Sequence, residues 1–127
     1  MKILLDTHAL IWFLEDNPKI STPAKNEIES TQNQCFVSTA SLWEIAVKVS
    51  LGKLALKYDF SLLSDFLIKS DIEILPIEFE HLQELLHLDF PHKDPFDRLI
   101  IAQSISENMT IITKDENFDK YKVKLLW

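Results

Sequence analysis

The chain has 127 residues, 46% of them hydrophobic and 26% charged, with a net charge of −7. That is enough apolar material for one domain with a buried core, and no apolar run approaches the ~18 residues a membrane helix needs. The acidic balance argues against holding a nucleic acid by bulk charge, and the single glycine, Gly52, leaves no Gly-rich phosphate loop or dinucleotide-binding turn.

The elements alternate along the chain. Ile3 to Leu5 reads as a short buried strand, followed by a helix from His8 to Glu15 that Asn17-Pro18 ends. Thr22-Pro23 predicts a helix start, with Thr22 as N-cap, running to about Gln32. Phe36 to Ser38 reads as the second strand, and Leu42 to Leu51 as a helix closed by Gly52. Phe60 to Ile68 is amphipathic at helical spacing. Ile72 to Ile77 is a strand with Pro76 near its end, and Phe79, Leu82, Leu85 and Leu86 again space as a helix. Asp94-Pro95 starts the longest clear helix, Thr110 to Thr113 is a fourth strand, and Val123 to Leu126 a fifth at an edge. Strands separated by helices require crossovers, hence an α/β fold with a mostly parallel sheet of four to five strands covered on both faces. No internal boundary appears, so residues 1–127 form one domain. Cys35, the only cysteine, cannot form an intramolecular disulfide. Asp6 interrupts the apolar N-terminus too early for a signal peptide, so a cytoplasmic setting with a buried, inert thiol is expected.

Four acids stand where such a sheet keeps its ligands. Asp6 follows the first strand, Glu44 lies just after the second, Asp97 opens the long helix, and Asp115 follows the fourth strand. In parallel sheets the ligand crevice lies beyond the carboxyl ends of the strands, the edge at which each crossover helix begins. Helix capping accounts for several of these acids one at a time. Ser41-x-x-Glu44 and Thr113-x-x-Glu116 match capping boxes, Asp94 before Pro95 is an N-cap, and Asp97 stands three residues on. Capping does not account for Asp6 directly after a buried strand, nor for acids recurring at one sheet edge. Two carboxylates ~5 Å apart repel by about 3 kcal/mol at an effective dielectric of ~20, so such a cluster calls for a cation. Oxygen ligands without a histidine or cysteine cage select Mg2+ or Mn2+.

Five segments in order carry a family resemblance: Leu5-Asp6-Thr7-His8-Ala9-Leu10; Ser41-Leu42-Trp43-Glu44-Ile45; Leu51-Gly52-Lys53-Leu54; His92 through Gln103, reading HKDPFDRLIIAQ; and Thr113-Lys114-Asp115. They resemble the PIN-domain nucleases, most closely the VapC-like toxins of bacterial toxin–antitoxin pairs, from Asp6 to Trp127. The resemblance implies a three-layer α/β/α fold and a Mg2+- or Mn2+-dependent endoribonuclease. It implies Asp6, Glu44, Asp97 and Asp115 as catalytic, metal-binding carboxylates, with Thr7 and Thr113 as hydroxyls at the rim. Asp94 belongs to the same motif besides being a cap. It further implies a small antitoxin that occludes the cleft and self-association as a homodimer or larger assembly, while the lack of a membrane-length apolar run leaves no membrane partner expected.

Among the remaining charges, Lys48 lies four residues after Glu44 and is expected to pair with it, the alternative being a substrate phosphate. Lys93, Arg98 and Lys114 adjoin the acids and are read as a phosphate-steering rim or as solvated charges. His8 and His92 flank the site. Trp12 and Phe13 exceed what one buried stripe needs, which suits core packing or a partner contact. Trp43 reads as core rather than as a base-stacking platform. Glu84-x-x-His87 has metal-helix spacing but a single copy, so it reads as a solvated face. A strand followed by Asp also opens haloacid-dehalogenase-type phosphotransferases, but these need a second aspartate where His8 stands. The rival from another class is a non-catalytic PIN-like interaction module.

Overall fold

Alternate residues of the strands pack into opposite layers, which is what two-sided burial demands of a period-two chain. The computed structural model describes residues 1–127. The strands are β1 (Lys2–Leu5), β2 (Gln34–Ser38), β3 (Ile72–Leu75), β4 (Thr110–Ile112) and β5 (Lys124–Leu126). They form one sheet in the order β3-β2-β1-β4-β5, with every neighbouring pair parallel. The helices are α1 (Thr7–Leu14), α2 (Thr22–Glu29), α3 (Thr39–Ser50), α4 (Leu63–Lys69), α5 (Phe79–Leu86) and α6 (Pro95–Glu107). Ile3, Leu5, Val37 and Ile112 face a layer containing Leu10, Ile28, Ile45 and Leu67, from α1 to α4. Leu4, Phe36 and Ile111 face Ile100 and Ile101 of α6 and Phe118. The result is the expected three-layer α/β/α sandwich, with β5 and β3 at the edges. No helix is long and apolar enough to cross a membrane.

Several boundaries differ from the sequence reading for local reasons. Ser21, not Thr22, caps α2, its hydroxyl accepting from Ala24 N–H, and the helix ends at Glu29 rather than near Gln32. Helix α3 starts at Thr39, three residues before the expected Leu42, because the Ser38 hydroxyl at the strand end caps Ala40 N–H. Gly52 closes α3 as expected, in the left-handed region at φ 69° that favours glycine. Phe60–Leu62 is a 3-10 turn leading into α4, and Glu116–Lys120 is a second one that the sequence did not reveal. β3 stops at Leu75, short of Pro76, which cannot donate to a ladder.

Helix α5 is where spacing identified the element but not its face. Phe79, Leu82 and Leu86 are exposed, while His81 is buried. The His81 Nδ1 accepts from Glu78 N–H at 2.9 Å, fixing the helix start. Of the Glu84–His87 pair, His87 is exposed at the helix end, its Nδ1 3.0 Å from Gln83 O, while Glu84 is half-buried. Cys35 is buried, and burial holds its thiol up at about 11.

Candidate metal and active site

The strand order decides where the site lies. From β1 the chain moves outward to β2 and β3, while β4 pairs with β1 on its other side, so β1 and β4 flank the point where strand order reverses. Open parallel sheets place their ligand crevice there. Asp6 N–H donates to Ile112 O at 3.0 Å, locking the two strand ends together. The Thr113 hydroxyl donates to Asp6 Oδ2 at 2.5 Å and accepts from Asp115 N–H at 3.0 Å. Asp6 Oδ1 accepts from Ala9 N–H at 2.7 Å, so Asp6 caps α1. Capping therefore does account for one oxygen of Asp6, contrary to the expectation from its position after a strand. Burial pushes the Asp6 carboxyl above the ordinary range against the pull of its two hydrogen-bond donors.

Glu44 is not a cap. The earlier start of α3 places it in the second turn, and the supposed capping partner Ser41 is buried with its hydroxyl unpaired. Glu44 is buried, taking the Thr7 hydroxyl on Oε1 at 2.6 Å and the Lys48 ammonium on Oε2 at 2.6 Å. The i,i+4 pairing expected of Lys48 is present, and that hydrogen bond raises the lysine above its usual range. Thr7 and Thr113 are thus buried hydroxyls that orient carboxylates rather than rim groups.

At the start of α6, Asp94 is the cap, accepting from Asp97 N–H at 2.9 Å. Asp97 does not return the favour as a capping box would. Its Oδ2 lies 3.3 Å from His92 Nε2. His92 Nδ1 lies 2.7 Å from the Tyr121 hydroxyl, which accepts from Arg98 Nη1 at 2.9 Å. A guanidinium only donates, so the arrangement that satisfies every proton runs from Arg98 through Tyr121 and His92 to Asp97. Burial raises the Asp97 carboxyl to about 8, reinforced by the charges of Asp94, Asp115, Glu44 and Asp6. One carboxyl thus feels all four of the other acids.

Asp115 stands exposed beyond β4, its Oδ1 accepting from Asn117 N–H at 2.9 Å as the cap of the 3-10 turn. The box expected between Thr113 and Glu116 does not form, since the Thr113 hydroxyl serves Asp6 and Asp115. Arg98 corrects another expectation. It is 4% exposed, donates to Asp89 O at 2.6 Å and lies 3.9 Å from the Phe90 ring centroid, so it braces the loop before α6 and is no part of a phosphate rim. Lys93 and Lys114 are exposed, as a rim requires. Trp43, expected in the core, is 58% exposed and packs edge-on against Phe96 at 5.0 Å. Tyr121 escaped the sequence reading, because nothing local marks a loop tyrosine as a neighbour of Asp97.

The donor chemistry fits a hard divalent cation: the acids offer only oxygens, Asp6 and Glu44 are buried, and positive charge would relieve the repulsion felt at Asp97. In this conformation the side chains rest on protein donors, and no three of the His, Cys, Asp and Glu groups stand close enough to clasp an ion. Beside Asp6 and Asp115 opens a cleft of about 490 Å3 that also presents His8, Trp12, Lys19 and Lys114.

Residues 3–124 match the family model described as "PIN domain". Among solved structures, the chain is similar to VapBC2 from Rickettsia felis bound to a DNA fragment from its promoter, at a TM-score of 0.75 and 20% identity, covering 99% of this chain and 98% of that one. It is similar to VapBC-1 from nontypeable Haemophilus influenzae, at 0.69 and 16%, covering 99% and 97%. A toxin–antitoxin complex from Klebsiella pneumoniae gives 0.64 and 18%, covering 98% and 96%. No curated protein matches the chain significantly in sequence.

Proposed function

The chain belongs to the PIN-domain family, and from that premise we propose that it is a Mg2+- or Mn2+-dependent endoribonuclease acting as the toxin of a toxin–antitoxin pair. The observation that carries the reading is the gathering of Asp6, Glu44, Asp94, Asp97 and Asp115 at the sheet's switch point, where burial first and then their mutual repulsion hold the Asp97 carboxyl above its ordinary range. A fold needs no such repulsion for its own stability. The similarity to VapBC structures and to a toxin–antitoxin complex supports a small antitoxin as partner, and the net charge of −7 suits a basic segment on it.

Asp6 and Asp97 would hold the ion, with Asp115 completing a second, weaker position. Bound there, it would polarise the scissile phosphate and offset its charge. Glu44, fixed by Thr7 and Lys48, would orient the attacking water. His92 and Thr113 hold Asp97 and Asp6 in place. Lys93 and Lys114 would draw the polyanion toward an otherwise repulsive centre. Water attacks phosphorus as the bond to the 3′ oxygen breaks. The products are a 5′-phosphate and a 3′-hydroxyl.

The test is purification free of antitoxin, incubation with total RNA with and without Mg2+, and mapping of the fragment ends. Mg2+-dependent cuts with 5′-phosphate ends that disappear in Asp6→Asn support the proposal. Fragments ending in 2′,3′-cyclic phosphate contradict the water mechanism, and absence of any Mg2+-dependent cleavage leaves the non-catalytic module.

A further inference from the structure

The first turns of α1 form a ladder leading away from the carboxylates. Asp6 caps the helix, and His8 and Trp12, one turn apart, share a face, with ring centroids 5.8 Å apart. Both line the cleft with Asp6, Lys19, Lys114 and Asp115. Trp12 lies about 9 Å along the helix from Asp6 at 1.5 Å per residue. The Trp127 ring meets it at 5.9 Å and 64°, fixing the indole, which stays only partly buried.

The lysines are the second observation. Lys19 Nζ lies 5.8 Å and Lys114 Nζ 6.0 Å from the Trp12 ring centroid. Neither forms an ion pair, although Asp115 and Glu116 line the same cleft. An acidic protein thus keeps beside its carboxylates two cations that rest over an aromatic ring rather than on an acid. Core packing explains the buried edge of Trp12, but leucine would serve there and needs no ammonium neighbours.

We propose that Trp12 is a stacking platform for one nucleobase of single-stranded RNA, with Lys19 and Lys114 clasping the phosphates on either side; this rests on the nuclease reading above. Aromatic faces with flanking cations are how proteins hold single strands without reading sequence. In the free protein the ammoniums rest by the ring, and a bound strand draws them to its phosphates. An acidic peptide would seek the same lysines, but it has no base to lie on the indole.

The test uses Asp6→Asn protein, in which cleavage is suppressed, and two fluorescein-labelled probes in Mg2+: a mixed-sequence RNA decamer and an abasic backbone of equal length. The expected result is that the base-bearing decamer binds about tenfold tighter, within the range of stacking on one aromatic side chain. Adding Trp12→Leu should erase that gap and Trp12→Phe should keep most of it. The exposed double variant Lys19→Ala/Lys114→Ala should weaken both probes and flatten the salt dependence. A gap that survives Trp12→Leu overturns the proposal. So does unchanged binding in the lysine double variant, which does not depend on how well a Trp12 substitution folds. Lysine-dependent binding of an acidic peptide, with the gap intact in Trp12→Leu, would identify a protein contact instead and overturn it too. If wild type makes no Mg2+-dependent cuts, the enzyme reading fails. If it cuts and Trp12→Leu leaves KM and cut sites unchanged, only the platform fails.

Discussion

Thr113 donates its hydroxyl to Asp6 across 107 positions of sequence, at 2.5 Å, joining the ends of β4 and β1 beneath the carboxylate cluster. The same hydroxyl accepts from Asp115 N–H, so one side chain orients two of the four acids. Thr113→Val keeps the shape and removes both bonds. A buried carboxylate left short of a donor costs about 1–3 kcal/mol. Urea unfolding should show a loss of that size, while Thr113→Ser stays within about 1 kcal/mol of wild type.

Asp97 makes metal-free stability depend on pH. Its folded-state carboxyl sits at about 8 against an ordinary 3.8, so the folded state holds the proton more tightly. The stabilisation is complete below about pH 4 and is lost as pH rises through 8. In EDTA, unfolding free energy should fall by about 1–3 kcal/mol between pH 5 and 8, and Asp97→Asn should flatten that slope. Added Mg2+ competes with the proton, so higher Mg2+ should shift the pH midpoint of RNA cleavage downward. A midpoint indifferent to Mg2+ would contradict Asp97 as a ligand.

Tyr121 connects Arg98 to His92, and through it to Asp97. Groups that orient a metal's ligands typically govern metal affinity by about 10–100-fold. Tyr121→Phe should raise the Mg2+ needed for half-maximal cleavage by about tenfold, and His92→Gln should restore part of what His92→Ala loses. Equal Mg2+ requirements in all of these variants would reduce the chain to loop packing.

Arg98 should matter for folding rather than for substrate. Its planar guanidinium meets Asp89 O, the Tyr121 hydroxyl and the Phe90 face together. An ammonium cannot reproduce that fork. Arg98→Lys should cost about 2 kcal/mol in urea unfolding and leave the salt dependence of RNA binding unchanged, whereas Lys114→Ala should lower it by about one ionic contact.

Whatever depends on near neighbours is legible in the chain alone. Short apolar runs leading into Asp6 and Thr113, the Asp94-Pro95 helix start, Gly52 after α3 and the Glu44–Lys48 spacing all act within a turn or a strand. That range sufficed for the α/β alternation and for the set of acids at one sheet edge. Tertiary structure decided what depends on which ends become neighbours. Pairing β1 with β4 set Thr113 against Asp6, and the loop after the last 3-10 turn carried Tyr121 to His92. Those placements also turned Arg98 inward and left Trp43 outside. The α5 stripe shows the same limit: spacing specifies a helix, but the face it buries is set by what the rest of the chain leaves open, and there His81 filled it while Phe79 and Leu86 did not. A side chain's role at this site follows from groups tens of residues away, and local pattern carries no record of them.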